Sequence, residues 1–143
     1  MIVYLDTSAL VKLYVAEAGS DLVEDYVQRC DAAAISAVGY PECRSAFARA
    51  LRTGSVDRAQ HQTIRRRFEL DWGQLVVIPA DESTLHLAGD LVDQYTLRGF
   101  DAVHLASAAA LRTAQSDLPI TFIAWDQRLL QAARGEDFAV AGG

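Results

Sequence analysis

"VYLDTSALVKLY", residues 3–14, decides how this chain is read. An apolar run, Ile2 to Leu5, stops at a carboxylate, Asp6. Two hydroxyls, Thr7 and Ser8, follow at once, and then apolar residues at helical spacing. A short, partly β-branched apolar run reads as a buried parallel strand. Ser8, or its neighbour Thr7, reads as the cap of a helix running to about Glu17. A buried strand that ends on an acid raises the question of what the acid does.

The alternation of strand and helix signals continues along the chain. Leu22, Val23, Tyr26 and Val27 place a helix over Ser20 to Arg29. A weak strand, Ala33 to Ser36, leads to a helix capped by Ser36, reaching about Arg52 and closed by Gly54. Ser55 starts another helix, with Ile64, Phe68 and Trp72 on one face. A strand over Leu75 to Pro79 precedes a helix capped by Asp81, with Ala88, Leu91, Val92 and Tyr95 inward and a break at Gly99. Asp101 opens an alanine-rich helix to about Ala114. A strand over Ile120 to Ala124 is followed by a helix from Asp126 to Arg134, closed by Gly135, and by a short strand at Phe138 to Val140. Strands separated by helices imply crossover connections and a mainly parallel sheet. The expectation is one α/β domain over residues 1–143. Ligands of such sheets bind beyond the carboxyl ends of the strands.

Composition narrows the function. The hydrophobic fraction of 51 % supports a real core, and the formal net charge of −6 argues against a simple basic nucleic-acid binder. It leaves room for an enzyme that meets phosphate through metal ions. Of 13 basic residues only Lys12 is a lysine. No apolar stretch nears the ~20 residues of a membrane helix and no leader pattern is present, so a soluble, cytoplasmic protein is expected. Cys30 and Cys43, with His61, His86 and His104, make no zinc spacing and read as reduced thiols and isolated imidazoles.

Four acids remain. Asp6 and Asp126 stand at the carboxyl ends of predicted strands. Asp101 opens a helix, and Glu42 lies early in another, beside Pro41. Asp6, Asp101 and Asp126 each also suit a helix N-cap, and Glu42 alone suits a solvated helix face. Gathered at one sheet edge, however, they repel by about 4 kcal/mol per charged pair at ~4 Å and an effective dielectric near 20. Such a cluster must take up protons or cations. Oxygen ligands without a Cys/His set favour Mg²⁺ or Mn²⁺. Rival chemistries lack their residues: there is no G-x-x-x-x-G-K-[ST], G-x-G-x-x-G or G-x-S-x-G. A small phosphatase would want a second aspartate two places after Asp6, where Ser8 stands, and both it and a phospho-receiver would want a late lysine, whereas Lys12 lies in the first helix.

The stretches VYLDTSALVKLY, SAVGYPECRSAFAR, LRGFDAVHLASAAAL and FIAWDQRLLQAA resemble the four acid-bearing motifs of PIN-domain ribonucleases, and most of all those of VapC toxins. The match spans nearly the whole chain. Ala124 stands where the fourth motif often has threonine. The resemblance implies a parallel sheet of about five strands between helices. It makes Asp6 the central metal ligand, with Glu42 and Asp101 completing the site and Asp126 binding the Mg²⁺ or Mn²⁺ directly or through water. It makes Ser8 a hydroxyl near the metal. It implies RNA hydrolysis, a homodimer, and a VapB-type antitoxin whose C-terminal segment neutralises the site, often through an arginine. A PIN-like scaffold that has lost activity stays open as the alternative.

Around these acids, His104 lies three residues after Asp101, suited to touching phosphate, orienting Asp101 or filling space. Arg49 shares a face with Glu42 and either borders the site or is solvated. Arg65, Arg66 and Arg67 cannot all face one surface, because successive helix residues turn by about 100°.

Overall fold

Five parallel strands form one sheet: β1 (Ile2–Leu5), β2 (Ala32–Ser36), β3 (Val76–Ile78), β4 (Ile120–Ala124) and β5 (Ala139–Gly142). Their spatial order is β3-β2-β1-β4-β5. The helices are α1 (Thr7–Val11), α2 (Ser20–Arg29), α3 (Gly39–Arg52), α4 (Arg58–Trp72), α5 (Glu82–Tyr95), α6 (Gly99–Ala114) and α7 (Gln127–Gly135). The structure is a computed structural model and describes residues 1–143.

The central strands β1 and β4 are buried along their whole length. Their side chains alternate between two cores. Ile2 and Tyr4 face one, with Phe122, Leu105 and Leu129 from β4, α6 and α7. Val3 and Leu5 face the other, with Leu10, Val23, Phe47 and Phe68 from α1 to α4. In the second core Phe68 meets the rings of Tyr14, Tyr40, Phe47 and Trp72, with centroids 5.2–5.6 Å apart. In the first, Ala102 and Ala106 are fully buried and let α6 approach the sheet closely. No helix is long and apolar enough to cross a membrane.

The chain builds outward from β1 through β2 to β3, and then returns to place β4 on the other side of β1. The β1/β4 boundary is therefore the point where strand order reverses. Connections diverge there and leave a crevice at the carboxyl ends of the strands.

Local starts and stops differ from the sequence reading in several places. Helix α1 ends at Val11 and not near Glu17, and its cap is Asp6, not Ser8 or Thr7. Ser36 is the last residue of β2; its hydroxyl accepts from the Val38 amide (3.3 Å), and α3 starts at Gly39. Helix α4 starts at Arg58, capped by Asp57 and not Ser55. Asp57 and Gln60 form a reciprocal capping box that Ser55 has no partner to match. Helix α5 is closed by Thr96 in the left-handed region, at φ 55°, and Gly99 begins α6 where a break was expected. Asp101 sits in the first turn of α6 and does not cap it.

Candidate active site

Asp6 is placed by the end of β1 and the start of α1. It is 5 % exposed. Its Oδ1 accepts from the Ala9 amide (2.9 Å) and from the Ser8 hydroxyl (2.7 Å). Both bonds fall on one oxygen, which leaves Oδ2 as an unused acceptor. Asp6 is thus a helix cap and a cleft acid at once. Burial pushes its pKa up, and Asp101 adds to the rise; His104, Ser8 and the Ala9 amide oppose it. Ser8 holds Asp6.

Asp126 repeats this division two residues beyond β4. Its Oδ1 caps α7 through the Leu129 amide (2.9 Å), and its Oδ2 faces Arg98 Nη2 (3.5 Å). Asp101, one turn into α6, receives Arg98 Nε on Oδ2 (3.1 Å) and keeps Oδ1 unbonded. Arg98 therefore bridges two of the acids from an exposed position.

Glu42 projects from the first turn of α3, which Gly39 opens close against Ile35 of β2. Its Oε1 accepts from the Thr7 hydroxyl (2.6 Å) and meets His104 Nε2 at 2.9 Å. Burial raises the Glu42 pKa, but the His104 and Thr7 hydrogen bonds outweigh it, and the net shift is downward. Glu42 stays charged, with Oε2 unbonded.

The four acids share a cleft of about 440 Å³ with Thr7, Ser8, Arg98 and His104. Glu17, a fifth acid, stands at its wall and pairs with Lys12 (2.9 Å). His104 is 2 % exposed and bonds Glu42, not Asp101 or the cleft opening. Arg49 is exposed and lies outside the cleft wall, where its neighbour on the same face, Ala46, takes the place nearer Glu42. Arg65, Arg66 and Arg67 are all exposed on α4, and Arg67 stacks over Tyr14.

The donor set suits a hard divalent cation: carboxylate oxygens, three of them unbonded, and no thiolate. As the side chains stand, no three of them are close enough to hold one ion. Arg98 instead neutralises Asp101 and Asp126. Sequence reasoning missed Arg98, Thr7 and Tyr4 as site neighbours. Arg98 had one signal, its i, i+3 spacing to Asp101 at a helix start.

The sequence pattern of the PIN domain matches residues 3–134. The chain belongs to the PIN domain family. This PIN domain is 36 % identical over 140 residues to Ribonuclease VapC45 of Mycobacterium tuberculosis, covering 98 % of this chain and 94 % of the relative. Ribonuclease VapC49 of the same species gives the same figures, 36 % over 140 residues with 98 % and 94 % covered. Among solved structures the fold is similar to FitAcB from Neisseria gonorrhoeae, with a TM-score of 0.66 at 19 % identity over 98 % of this chain and 96 % of that one. It is similar also to VapBC2 from Rickettsia felis bound to a DNA fragment from their promoter, with a TM-score of 0.66 at 13 % identity over 100 % and 99 % of the two chains. Those structures extend the likeness to the overall fold.

Proposed function

We propose that this PIN domain is a divalent-metal-dependent endoribonuclease and the toxin of a toxin–antitoxin pair, with Mg²⁺ or Mn²⁺ held by Asp6, Glu42, Asp101 and Asp126. One observation carries the reading: four carboxylates from four separate elements line one cleft at the strand-order reversal. The names of the relatives, all ribonucleases, supply the substrate class. Full retention of the acids favours activity over an inactive scaffold.

A divalent ion, when bound, supplies Lewis acidity that makes water a nucleophile near neutral pH and offsets phosphate charge. This chain's residues do the rest. Asp6 is rigid because its Oδ1 is pinned by Ser8 and Ala9, so Oδ2 is presented from a fixed post. Glu42 is pinned in the same way on Oε1 by Thr7 and His104. Asp101 and Asp126 are tethered more loosely, through an exposed arginine, and can adjust to ion and phosphate. Arg98, released from them, is placed to meet a substrate phosphate through its planar fork.

The partner reading is electrostatic. A guanidinium already lies across Asp101 and Asp126. An arginine on the tail of a VapB-type antitoxin can satisfy the same pair. Exposed Leu85 and Phe100 flank a groove beside the acids and suit the apolar face of a homodimer.

The test is cleavage of RNA by the purified, folded protein with Mn²⁺, compared with Asp101→Asn. A large loss of rate in the variant is expected. Cleavage at the wild-type rate overturns the assignment.

A further inference from the structure

Behind Glu42 lies a buried chain of hydrogen bonds that no step above uses. Tyr4 is fully buried on β1, with its ring stacked on Phe122 at 5.1 Å and 9°. Its hydroxyl oxygen accepts from the Ser36 backbone amide (3.0 Å). An amide can only donate, so this bond takes a lone pair and leaves the phenol proton for another acceptor. His104 Nδ1 lies in reach at 2.9 Å, and the Ser107 hydroxyl, whose own proton goes to the Val103 carbonyl, also meets the phenol. A neutral imidazole that accepts on Nδ1 carries its proton on Nε2. Nε2 is 2.9 Å from Glu42 Oε1 and 3.2 Å from the Thr7 hydroxyl. The Thr7 proton is itself directed to Oε1 (2.6 Å). The Glu42 carboxylate can only accept, so Nε2 carries a proton; with the phenol proton given to Nδ1, the chain runs in one direction from the Ser36 amide to Oε1.

We propose that Tyr4 and His104 are positioning residues, a buried Ser36 amide–Tyr4–His104 relay that fixes the imidazole as its Nε2–H tautomer and locks Glu42 with Oε2 turned to the metal position. The inference rests on the metal-dependent reading of the cleft. Three features support a dedicated relay over space-filling. Both rings are buried, so no water competes for their polar atoms. The Tyr4 and His104 rings meet edge-on at 6.0 Å and 72°. Both donors to Glu42 converge on the same oxygen, which leaves the other free. Groups that orient a metal ligand from behind typically change metal affinity or activity by roughly 10–100-fold when removed.

The relay can be tested in the full chain without RNA. Imidazole ¹⁵N shifts of the metal-free wild type should report the neutral Nε2–H form for His104. Tyr4→Phe keeps the ring against Phe122 and removes the proton; the Nδ1 resonance should then shift as its hydrogen bond is lost, while Nε2 keeps its proton toward the Glu42 carboxylate. Mn²⁺ binding, followed by electron paramagnetic resonance, should weaken roughly 10–100-fold in His104→Ala. It should weaken less in Tyr4→Phe. His104→Gln can still accept from Tyr4 and donate to Glu42, and it should recover part of the loss. A wild-type His104 in the Nδ1–H or doubly protonated form overturns the relay. So does Mn²⁺ affinity unchanged by both Tyr4→Phe and His104→Ala. Failure of the wild type to bind Mn²⁺ overturns the metal reading and the relay's purpose, and the ¹⁵N shifts tell that failure apart from an absent relay.

Discussion

The divided duty of Asp6 makes a prediction that separates folding from function. One oxygen caps α1 and the other faces the cleft, so two substitutions should behave differently. Asp6→Ala removes both duties. The Ala9 amide loses its acceptor, at a typical cost of about 1 kcal/mol and up to ~2 kcal/mol. At ~2.1 cal/mol/K per residue, 143 residues unfold with an entropy near 300 cal/mol/K. The melting temperature of metal-free Asp6→Ala should fall by roughly 3–7 °C. Asp6→Asn keeps an oxygen where Oδ1 stands and retains the bonds from Ala9 and Ser8. It also removes a buried charge from beside Asp101, so its metal-free stability should equal or exceed the wild type. Manganese reverses the order. An ion at a hundred times its dissociation constant stabilises the folded wild type by about 2.7 kcal/mol, or roughly 9 °C here. Neither variant should show that gain. Scanning calorimetry with and without Mn²⁺ reads all of these quantities. Two results refute the reasoning: an Asp6→Asn protein as unstable as Asp6→Ala, or one that keeps the full manganese stabilisation.

Further outcomes follow from other parts of the structure. Arg98 is exposed, so Arg98→Gln should change stability by no more than about 0.5 kcal/mol in urea denaturation. The same variant should bind Mn²⁺ more tightly by titration calorimetry, most clearly at low salt, because a cation has left the acids. The pH dependence of the metal-free protein should carry the mark of Asp6. Its folded pKa is raised, so ionising it costs stability as pH rises through that folded value, and the advantage of Asp6→Asn over wild type should shrink on acidification through it. Glu42 works in the opposite sense. Its lowered pKa gives stability that is present above the unfolded value and lost as pH falls through the folded one, which a Glu42→Gln comparison should reveal. Phe68→Ala, at the centre of the aromatic cluster, should cost about 3–5 kcal/mol with the cleft acids untouched. A loss below 1 kcal/mol would show that the second core is not packed as described.

Much of this architecture is written locally. The β1 and β4 strands are short, mostly apolar runs with an acid just past their carboxyl ends, and their limits fall where the residues place them. Helix α2 likewise occupies Ser20–Arg29 as its periodicity indicates. The four acids were legible because strand ends in a parallel sheet share an edge. Helix starts were less so, since serine, threonine and aspartate compete as caps. At α4 the D-x-x-Q pattern of Asp57 and Gln60 decides the matter, because only that pair satisfies two amides reciprocally. At α1 the acid outcompetes the hydroxyls because its Oδ1 reaches the Ala9 amide and takes the Ser8 proton as well. Cap and ligand had read as alternatives for Asp6 and Asp126; a carboxylate has two oxygens, and in each residue one caps a helix while the other is turned away from that cap, so the cap does not exclude the ligand. The partners of Glu42 lay beyond sequence reasoning. Thr7 and His104 are 35 and 62 positions from it, and periodicity tells which face a residue takes but not which residue faces it. Arg98, near Asp90 and Asp93, read as part of a solvated face and was not linked to the cleft acids, because charge on a helix end normally reads as solvation.

The most direct test of the central claim is the chemistry of the cut RNA ends. A water nucleophile gives linear phosphate ends, whereas attack by the neighbouring 2′-hydroxyl gives a 2′,3′-cyclic phosphate. Mass spectrometry of a short RNA cleaved by the purified protein distinguishes them, with Mg²⁺ or Mn²⁺ present in one arm and a chelator in the other. The predicted result is linear ends with metal and no cleavage with chelator. Cyclic phosphate ends that persist in chelator would contradict it.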